Sequence, residues 1–512
     1  MDRSSAPSFW FDKIKTSQSS GLLMQSKKDQ LSYQEFFTDL AVLLAWFYKK
    51  DLKKGDRALV AMKEDKNSVL LILAMMRYGL SITAFDPDAP LAEAQQMFGI
   101  IRPKLVCAAD KTMAEWKSAE ALDVSCEIIL AEGDLPSLLS QPLSSTNESG
   151  VNFVEPAEDD ISLVIYTSGT TGKPKGVCLS YRAVFQQSLD MAKQIDITSK
   201  SVILNMFRFY QIGGIVNGIL LAFLNGATLF RPYNIFSLEK LGDLYRQINE
   251  VKASHFILVP SFLSILLHRK QDFVQTFSMP FFRYFISTAD LLPEAMWSIA
   301  EELSGKVVVN TYGLTEANTL TFSALDRDLP RRGTIGRPNN CRHIIVDENR
   351  LPVAKGEKGE LVVSGKTVME GYFDDEERAA LVLKDGWFYT GDFMWENSDG
   401  NLVYMGRKAN VIVCGGHTIF PDEITAHLMD HEDILQAYTL GLPHESWGEV
   451  VVTCIVMKKK ETSSNEIAAF LRGRLSAYKI PRRFVFMDII PISDRGKVKR
   501  SEILSIINQN KK

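Results

Sequence analysis

The sequence predicts an α/β protein with layered, largely parallel sheets, a small antiparallel β region and a separate small C-terminal domain. Strand-like and helix-like segments alternate over most of the 512 residues, which is typical of parallel sheets covered by helices. From Gly359 to Tyr372 the segments become short and alternate around glycine turns. Beyond a predicted domain boundary near Gly406, about a hundred residues carry strand and helix signals of their own.

The elements of the first half follow from hydrophobic periodicity. Arg57 to Met62 predicts a strand, Ser68 to Tyr78 a helix, and Ile161 to Tyr166 a buried strand that opens into a Gly/Thr-rich loop. Two apolar stretches, Val69 to Phe85 and Gly213 to Phe230, approach the length of a membrane span, but polar or charged residues interrupt both. We interpret them as buried helices that lead into strands, and we expect no integral membrane segment.

Composition excludes several classes of function. The chain is 46% hydrophobic and 23% charged with a formal net charge of −4, so no overall cationic field would recruit nucleic acid or an anionic membrane. Six cysteines without a CxxC pair, and an N-terminus without a secretory signal, predict a protein of the reducing cytoplasm. Residues 451–512 hold 14 basic against five acidic side chains. This segment is either a solvated helical face or a rim that meets a polyanion, such as coenzyme A or an acidic carrier protein.

The sharpest local signal is the loop from Tyr166 to Gly176, directly after a buried strand. Its small residues let the backbone approach an anion, its hydroxyl and amide groups can bond phosphate oxygens, and its lysines supply charge. The loop lacks the glycine and the Ser or Thr that a Walker loop requires, at Thr167 and Pro174. We therefore predict a triphosphate site, but not one specialised for transfer of the γ-phosphate.

This loop resembles the signature of the adenylate-forming superfamily, which includes acyl- and aryl-CoA synthetases, luciferases and the adenylation domains of peptide synthetases. Leu31–Tyr33, Gly55–Arg57 and Asp86–Pro87 are similar to early motifs of this family, and the resemblance extends over almost the whole chain. It implies a large multi-layer N-terminal domain at 1–408, with two α/β sheets and a small β-barrel-like region. It also implies a smaller, mobile α+β C-terminal domain at 409–512.

The resemblance implies how ATP is held. In a motif similar to the nucleotide motif, Tyr312 would face the adenine, Thr315 would bond the α-phosphate and Glu316 would hold Mg²⁺. Asp392 resembles the aspartate that chelates both ribose hydroxyls, and Arg407 the arginine that supports ribose and phosphate from the domain junction. The implied nucleotide-binding residues are Thr167, Ser168, Gly169, Thr170, Thr171, Gly172, Lys175, Thr288, Ala289, Asp290, Asn310, Thr311, Tyr312, Gly313, Asp392 and Arg407.

The stretch from Pro491 to Arg500 is similar to the C-terminal loop that delivers the family's catalytic lysine, which places Lys497 in that role. Negative charge accumulates on phosphate oxygens as a carboxylate attacks the α-phosphorus, and an ammonium there stabilises the transition state. The implied catalytic residues are Lys497, Thr315 and Glu316.

The resemblance further implies two half-reactions: a small-molecule carboxylate and ATP give an acyl-adenylate, and a thiol then displaces AMP. Gly415 and Gly416 would line the tunnel for a pantetheine arm. Phe420, Pro421 and Glu423 follow the CoA-ligase version of this motif, which favours coenzyme A. The alternatives are loading of a carrier-protein phosphopantetheine with an acyl or amino acid, and a non-catalytic adenylate-binding homologue.

Two positions depart from the family pattern. Ala409 stands at the hinge, where Asp or Lys is usual, which leaves the efficiency of the thiol step open. Gln211 stands where CoA ligases often have His and where amino-acid-activating relatives have Asp, so an α-amino acid is the less favoured substrate. By resemblance the acyl pocket comprises Tyr210, Gln211, Gly213 and Ser287, and aryl, fatty and biosynthetic acids all remain open.

Overall fold

The computed structural model describes residues 7–17, 21–118, 126–130, 133–140, 154–167, 174–232, 240–323, 332–458, 462–491 and 498–509. Helices in these ranges are α1 (Pro7–Ser17), α2 (Tyr33–Lys49), α3 (Lys66–Tyr78), α4 (Leu91–Ile101), α5 (Asp110–Ser118), α6 (Asp134–Leu139), α7 (Tyr181–Gln194), α8 (Ile212–Gly214), α9 (Leu221–Leu224), α10 (Leu241–Val251), α11 (Pro260–Leu267), α12 (Lys270–Phe277), α13 (Glu294–Ser304), α14 (Glu376–Val382), α15 (Pro421–Met429), α16 (Ser464–Arg472) and α17 (Arg500–Gln509). A π-helical segment, Ile215–Leu220, joins α8 to α9.

The strands are β1 (Leu22–Ser26), β2 (Gln30–Ser32), β3 (Arg57–Ala61), β4 (Ser81–Ala84), β5 (Leu105–Ala108), β6 (Glu127–Leu130), β7 (Ile161–Thr167), β8 (Lys175–Ser180), β9 (Val202–Asn205), β10 (Thr228–Arg231), β11 (His255–Leu258), β12 (Tyr284–Ser287), β13 (Val307–Leu314), β14 (Asn318–Phe322), β15 (Arg337–Pro338), β16 (Arg342–Val346), β17 (Gly359–Ser364), β18 (Gly371–Tyr372), β19 (Leu383–Lys384), β20 (Trp387–Glu396), β21 (Leu402–Arg407), β22 (Ile412–Cys414), β23 (His417–Ile419), β24 (Ile434–His444), β25 (Gly448–Met457) and β26 (Arg483–Phe486).

Two large sheets form the body of the molecule. The seven-strand sheet has the order β18-β8-β7-β4-β3-β5-β6, and its strands β7, β4, β3, β5 and β6 run parallel. The nine-strand sheet has the order β15-β14-β13-β12-β11-β9-β10-β1-β2, with a parallel centre from β13 to β1. The predicted α/β layers and parallel sheets are therefore confirmed.

Helix α3 shows why the sequence packs this way. Every residue from Ser68 to Met76 is buried, because the helix lies within the main apolar cluster of the large body rather than on its surface. Asp65 accepts a hydrogen bond from the Ser68 amide at its N-terminus, and Gly79, with φ 94°, ends it in the left-handed region that favours glycine. Because the middle of α3 is buried on all sides, it needs no polar face, and its sequence is therefore a continuous apolar run.

The two long apolar stretches are helix-to-strand units, as predicted. The first comprises α3 and β4, and the second comprises α8, the π-helical segment, α9 and β10. No helix among the described residues is long and apolar enough to cross a membrane.

Two smaller sheets follow. Strands β16, β17, β20 and β19, with β21 beside β20, form an antiparallel sheet that includes the predicted β region. In the C-terminal part, β23, β22, β25 and β24 are joined by β26, which runs parallel to β25. Apolar side chains of α15 and α16 pack on one face of this C-terminal sheet, and those of α17 on the other.

Candidate active site

Two of the predicted phosphate-binding residues, Thr167 and Lys175, lie on neighbouring antiparallel strands of the seven-strand sheet. Strand β7 ends at Thr167, which pairs with Lys175 at the start of β8. Ser168, Gly169, Thr170, Thr171 and Gly172 lie outside the described residues. The buried Thr167 Oγ1 has no hydrogen-bond partner among the described residues.

Lys175 joins these strands to the predicted nucleotide motif. Its ammonium forms an ion pair with Glu316 Oε1 and lies 3.3 Å from the hydroxyl of Tyr372, whose ring is 5.1 Å from the same nitrogen. Burial raises the pKa of the Tyr372 hydroxyl, so this hydroxyl stays protonated and donates to the Glu316 carboxylate, at 3.2 Å. The structure thus brings Lys175 and Glu316 together, 141 positions apart in the chain.

Thr315 and Glu316 occupy the turn between β13 and β14. Strand β13 must pass close to β14 at this point, because a Cβ atom added to Gly313 would lie 2.2 Å from the carbonyl oxygen of Asn318. Asn318 itself adopts a left-handed conformation with φ 59°. This tight hairpin holds the Glu316 carboxylate, which is 7% exposed, against Lys175 at the start of β8.

The donor set suits Mg²⁺ bound together with nucleotide phosphates. Mg²⁺ in such sites is held by one or two carboxylates, and the substrate phosphates and water complete its shell. Glu316 offers one buried carboxylate, and the Lys175 ammonium stands beside it as a cation would. No group of three His, Cys, Asp or Glu side chains that could hold a metal occurs in the part of the chain that the structure describes.

Asp392 is the centre of the site. Its side chain is 1% exposed, and it accepts a hydrogen bond from the Tyr312 hydroxyl at 2.6 Å and an ion-pair contact from Arg407 Nε at 3.1 Å. Burial raises the pKa of this carboxyl, while Arg407 and Tyr312 act in the opposite direction. Tyr312, Asp392 and Arg407, which were predicted independently from three motifs, therefore form one cluster.

Thr288, Ala289 and Asp290, which are predicted as the second adenine contact, directly follow β12. Ser287 is fully buried, and its Oγ has no hydrogen-bond partner among the described residues. The chain continues through Thr288 into Ala289, whose φ of 71° is rare for a residue with a side chain and turns the backbone sharply before Asp290. An unpartnered hydroxyl and a strained residue at the end of a parallel strand are typical of a binding site.

Asn310 and Thr311 differ from the other predicted nucleotide residues, because protein atoms satisfy their side chains. The Asn310 amide donates to the Thr334 carbonyl at 2.9 Å, and the Thr311 hydroxyl donates to the Ser287 carbonyl at 3.1 Å. These two side chains hold neighbouring strands and loops together at the site.

Three of the four predicted acyl-pocket residues, Tyr210, Gln211 and Gly213, lie on the turn from Phe207 to Gly214, which we call the acid-recognition turn. The fourth, Ser287, is the last residue of β12. The Gln211 side chain accepts a hydrogen bond from the Arg208 amide at 3.2 Å, which closes the turn. A Cβ atom at Gly214 would lie 2.0 Å from the Arg208 carbonyl oxygen, and one at Gly213 would lie 2.9 Å from the Phe207 ring. Both glycines are therefore required by close packing.

The C-terminal part contacts the site beside the predicted hinge, where Ala409 lies in an exposed 3₁₀ turn. The Phe420 ring lies 5.4 Å from that of Phe393, and Asp422 Oδ2 is 3.4 Å from the Tyr404 hydroxyl. Burial raises the pKa of Asp422 to about 6, and the carboxylates of Asp290 and Asp392 act in the same direction.

Replacing Asp422 with Asn should therefore stabilise the protein at neutral pH. The folded-state pKa of about 6 exceeds the unfolded value near 4, so the charged carboxylate destabilises the fold above pH 6, and this penalty disappears below about pH 4. Asp422→Asn removes a penalty of roughly 1–3 kcal/mol at pH 7.5. Thermal unfolding should show a higher midpoint than wild type at pH 7.5 and a difference that shrinks as the pH falls to 4. A lower midpoint at pH 7.5 would contradict this assignment.

Gly415 and Gly416 form the two-residue turn between β22 and β23. Both have positive φ, 56° and 80°, as a tight hairpin of this kind requires. A Cβ atom on Gly415 would lie 2.6 Å from the ring of Trp447. The structure thus gives a local reason for both glycines, beside the predicted role in a thiol tunnel.

An aromatic and basic surface surrounds this turn, and motif reasoning missed it. The His417 ring stacks on Tyr478 with centroids 4.3 Å apart, and the Arg482 guanidinium lies 4.2 Å from the centre of the Trp447 ring. Lys479 is held nearby by both oxygens of Glu423, at 2.7 Å each.

Trp447 and Tyr478 remain 41% and 43% exposed. We call these residues the aromatic-basic patch. The excess of basic side chains in residues 451–512 was its only signal in the sequence.

A cavity of about 340 Å³ opens at the ion pair of Lys175 and Glu316. Arg407, Lys408 and residues of the antiparallel sheet line its other walls. Lys497 lies outside the described residues, so its position relative to this cavity stays a prediction.

The chain is similar to known proteins over most of its length. The sequence model described as AMP-binding enzyme matches residues 14–373, and the model of the AMP-binding enzyme C-terminal domain matches residues 423–497. The indoleacetate–CoA ligase of Aromatoleum aromaticum is 31% identical over 348 residues, which are 67% of either chain. The long-chain-fatty-acid–CoA ligase of Bacillus subtilis is 25% identical over 514 residues, covering 94% of this chain and 91% of that one.

The fold is shared with solved structures. ATP-bound MatB from Rhodopseudomonas palustris superimposes with a TM-score of 0.87 at 23% identity, over 98% of this chain and 99% of that one. This likeness confirms the predicted fold class, with a large N-terminal and a smaller C-terminal unit.

Proposed function

The chain belongs to the AMP-binding enzyme family, and on that basis we propose that it is an AMP-forming ligase that joins a carboxylic acid to coenzyme A with ATP. The observation that carries this proposal is the buried Asp392, which Tyr312 and Arg407 hold at the junction with the C-terminal part. An ionised carboxylate with two acceptor oxygens suits a pair of ribose hydroxyls. The two curated relatives described above are named as CoA ligases, which supports the acceptor.

The residues of the site divide the work of the first half-reaction. Asp392 binds the ribose, Tyr312 and the end of β12 frame the adenine, and Thr167 and Lys175 receive the phosphates. Glu316 would hold Mg²⁺, which supplies positive charge to the phosphate oxygens when it is bound. Catalysis then consists mainly of positioning the carboxylate in line with the α-phosphorus and of stabilising charge on the phosphate oxygens.

The aromatic-basic patch supports coenzyme A as the acceptor of the second half-reaction. Exposed aromatic rings beside cationic groups provide stacking for a base and charge for phosphates, which is what the nucleotide end of coenzyme A carries. The patch adjoins the Gly415–Gly416 turn, where the resemblance places the thiol tunnel. Loading of a carrier protein is the second candidate, since the basic side chains of residues 451–512 would also suit an acidic partner.

Replacing Trp447 with Ala should weaken the use of coenzyme A. Loss of one base-stacking ring costs about 1–3 kcal/mol, so we expect the KM for coenzyme A to rise about tenfold or more. Pyrophosphate exchange, which reports the first half-reaction, should stay within about twofold of wild type. Tyr48→Ala is the control, because Tyr48 is 49% exposed on α2, far along the chain from the patch. An unchanged KM for coenzyme A would remove the patch from the acceptor site.

The two acceptors separate in one experiment. The enzyme is first allowed to form the adenylate, and either coenzyme A or a holo-carrier protein is then supplied. Thioester formation with coenzyme A supports the proposed function. Product on the carrier protein, with none on coenzyme A, would replace it by the second candidate.

We also propose that the protein works in the reducing cytoplasm. All six cysteines are free, and four of them, at positions 107, 178, 341 and 454, have thiol pKa values raised by burial. Unpaired, weakly reactive thiols are compatible with the reducing cytoplasm.

A further inference from the structure

A buried ionic junction lies directly behind the acid-recognition turn and is not explained by nucleotide binding. Its centre is Arg231, the last residue of β10, whose side chain is 8% exposed. Burial lowers the pKa of this guanidinium to about 10, so it still carries its charge at neutral pH. A buried charge of this kind is costly unless it is well paired, and it therefore needs a structural or functional reason.

Arg231 binds the backbone that leads into the turn. One terminal nitrogen donates to the Asn205 carbonyl and to the Phe207 carbonyl, the latter at 2.8 Å. The guanidinium also lies 5.1 Å from the centre of the Phe209 ring. Arg231 thus contacts every second residue from 205 to 209, and Tyr210 and Gln211 follow directly in the chain.

Glu64 connects this junction to the other large sheet. It lies in the connection between β3 and α3 of the seven-strand sheet, whereas Arg231 belongs to the nine-strand sheet. Glu64 Oε2 is 2.9 Å from Arg208 Nη1 and 3.9 Å from Arg231 Nη2. One carboxylate therefore faces two guanidinium groups, one from the turn and one from behind it.

We propose that Arg231, paired with Glu64, is a positioning residue for the carboxylic acid substrate. The junction spans the carboxyl ends of strands from both large sheets, which is where parallel sheets bind their ligands. No strand is assigned to residues 207–214, so the geometry of the turn depends on side-chain contacts and on its own hydrogen bonds. Besides Arg231, the Asn205 side chain accepts from the Phe207 amide at 2.8 Å and donates to the Gly213 carbonyl at 2.9 Å. Arg231 acts through the backbone of the turn and holds Tyr210 and Gln211 in place. This inference rests on the proposed function, because that function places the acid at this turn.

The test uses two conservative variants, Arg231→Lys and Glu64→Gln. Lysine keeps the charge but lacks the planar fork that reaches several acceptors at once, and glutamine keeps the shape of Glu64 without its charge. Pyrophosphate exchange is measured with whichever of indole-3-acetate, benzoate, decanoate and palmitate the wild-type enzyme uses fastest. We expect the KM for that acid to rise about tenfold in Arg231→Lys and several-fold in Glu64→Gln, with the KM for ATP within twofold of wild type.

Glu301→Gln is the matched control. Glu301 lies on α13 and is 1% exposed; it accepts from the Val308 amide at 2.9 Å and from Arg332 Nη2 at 3.4 Å. It should lower the thermal midpoint without changing the KM for the acid. If the KM values for acid and ATP rise together in the two variants, or if Glu301→Gln raises the KM for the acid equally, Arg231 has only a structural role.

A second readout does not depend on activity. The amides of Gln211 and Gly214 are hydrogen-bonded within the turn, to the carbonyls of Arg208 and Gln211, at 3.0 Å each. Their hydrogen exchange should accelerate at least tenfold in Glu64→Gln and Arg231→Lys, but not in Glu301→Gln. If wild type exchanges pyrophosphate with no acid of the panel, the proposed function fails while this measurement still decides whether Arg231 positions the turn. Unchanged hydrogen exchange at both amides would overturn the inference. If Arg231→Lys does not fold, the hydrogen exchange of Glu64→Gln alone tests the inference.

Discussion

Replacing Lys497 with Ala is expected to lower adenylate formation by at least about 100-fold while leaving thioester formation from a supplied acyl-adenylate largely intact. The reason is electrostatic: one preorganised positive group at a developing charge contributes on the order of 100-fold to 1,000-fold in rate. In the second half-reaction the adenylate already exists, and this group is no longer needed for its formation. Pyrophosphate exchange into ATP measures the first step, and release of AMP from the acyl-adenylate with coenzyme A measures the second.

Lys499→Ala is the matched control for this experiment. Lys499 lies two residues further along the chain and pairs with Glu502 at 2.8 Å on α17. Its replacement should change neither half-reaction more than about twofold. Pyrophosphate exchange at the wild-type rate in Lys497→Ala would show that the loop does not deliver the catalytic lysine, and the assignment by resemblance would be wrong.

Replacing Asp392 with Ala should raise the KM for ATP by at least about 100-fold. A hydrogen bond to a charged group contributes about 1.5–3 kcal/mol, and the carboxylate is proposed to bind two ribose hydroxyls. The variant also leaves Tyr312 and Arg407 without their shared acceptor. Asp392→Asn, which keeps one acceptor oxygen, should have a smaller effect of the same kind. Initial rates of pyrophosphate exchange at varied ATP concentration provide the measurement.

A nearby aspartate separates this effect from general damage to the antiparallel sheet. Asp399 lies in the turn between β20 and β21, and Asp399→Ala should leave the KM for ATP within twofold of wild type. If Asp392→Asn left the KM for ATP unchanged while lowering thermal stability, the carboxylate would serve the domain junction rather than the nucleotide.

Short-range sequence patterns predicted the fold class and several of its elements. The alternation of apolar runs and turns predicted the bounds of β3, α3 and β7 to within about two residues. These elements could be predicted because each is largely buried, and burial leaves an apolar pattern in its own short stretch of sequence. The motif residues Tyr312, Glu316, Asp392 and Arg407 were also predicted, and the structure places them around one site. They could be found because each belongs to a compact stretch with its own chemistry.

Contacts between distant segments could not be predicted in this way. The ion pair of Lys175 with Glu316 joins positions 141 apart, and the junction of Glu64 with Arg231 joins two different sheets. Lys175 and Glu316 were predicted as separate motif residues and Glu64 and Arg231 were not predicted at all, because only the packing of the sheets brings the partners of each pair together. Asp422 is a similar case, because its raised pKa comes from burial at the domain junction.

The paired glycines show how one sequence feature can have two explanations. Gly415 and Gly416 were predicted to line a tunnel, and their positive φ angles also satisfy a tight turn under Trp447. The sequence pattern is the same for either role. A measurement on the thiol step, such as the KM for coenzyme A in Trp447→Ala, tests whether this turn also serves the acceptor.

Pyrophosphate exchange into ATP across a panel of aryl, fatty and amino acids tests the central claim most directly. The claim is that this chain activates a carboxylic acid as its adenylate at the site around Asp392. We predict exchange that depends on one class of carboxylic acid, requires Mg²⁺ and is lost in Asp392→Ala. Binding of ATP without acid-dependent exchange for any member of the panel would contradict the claim and would leave a nucleotide-binding protein without this activity.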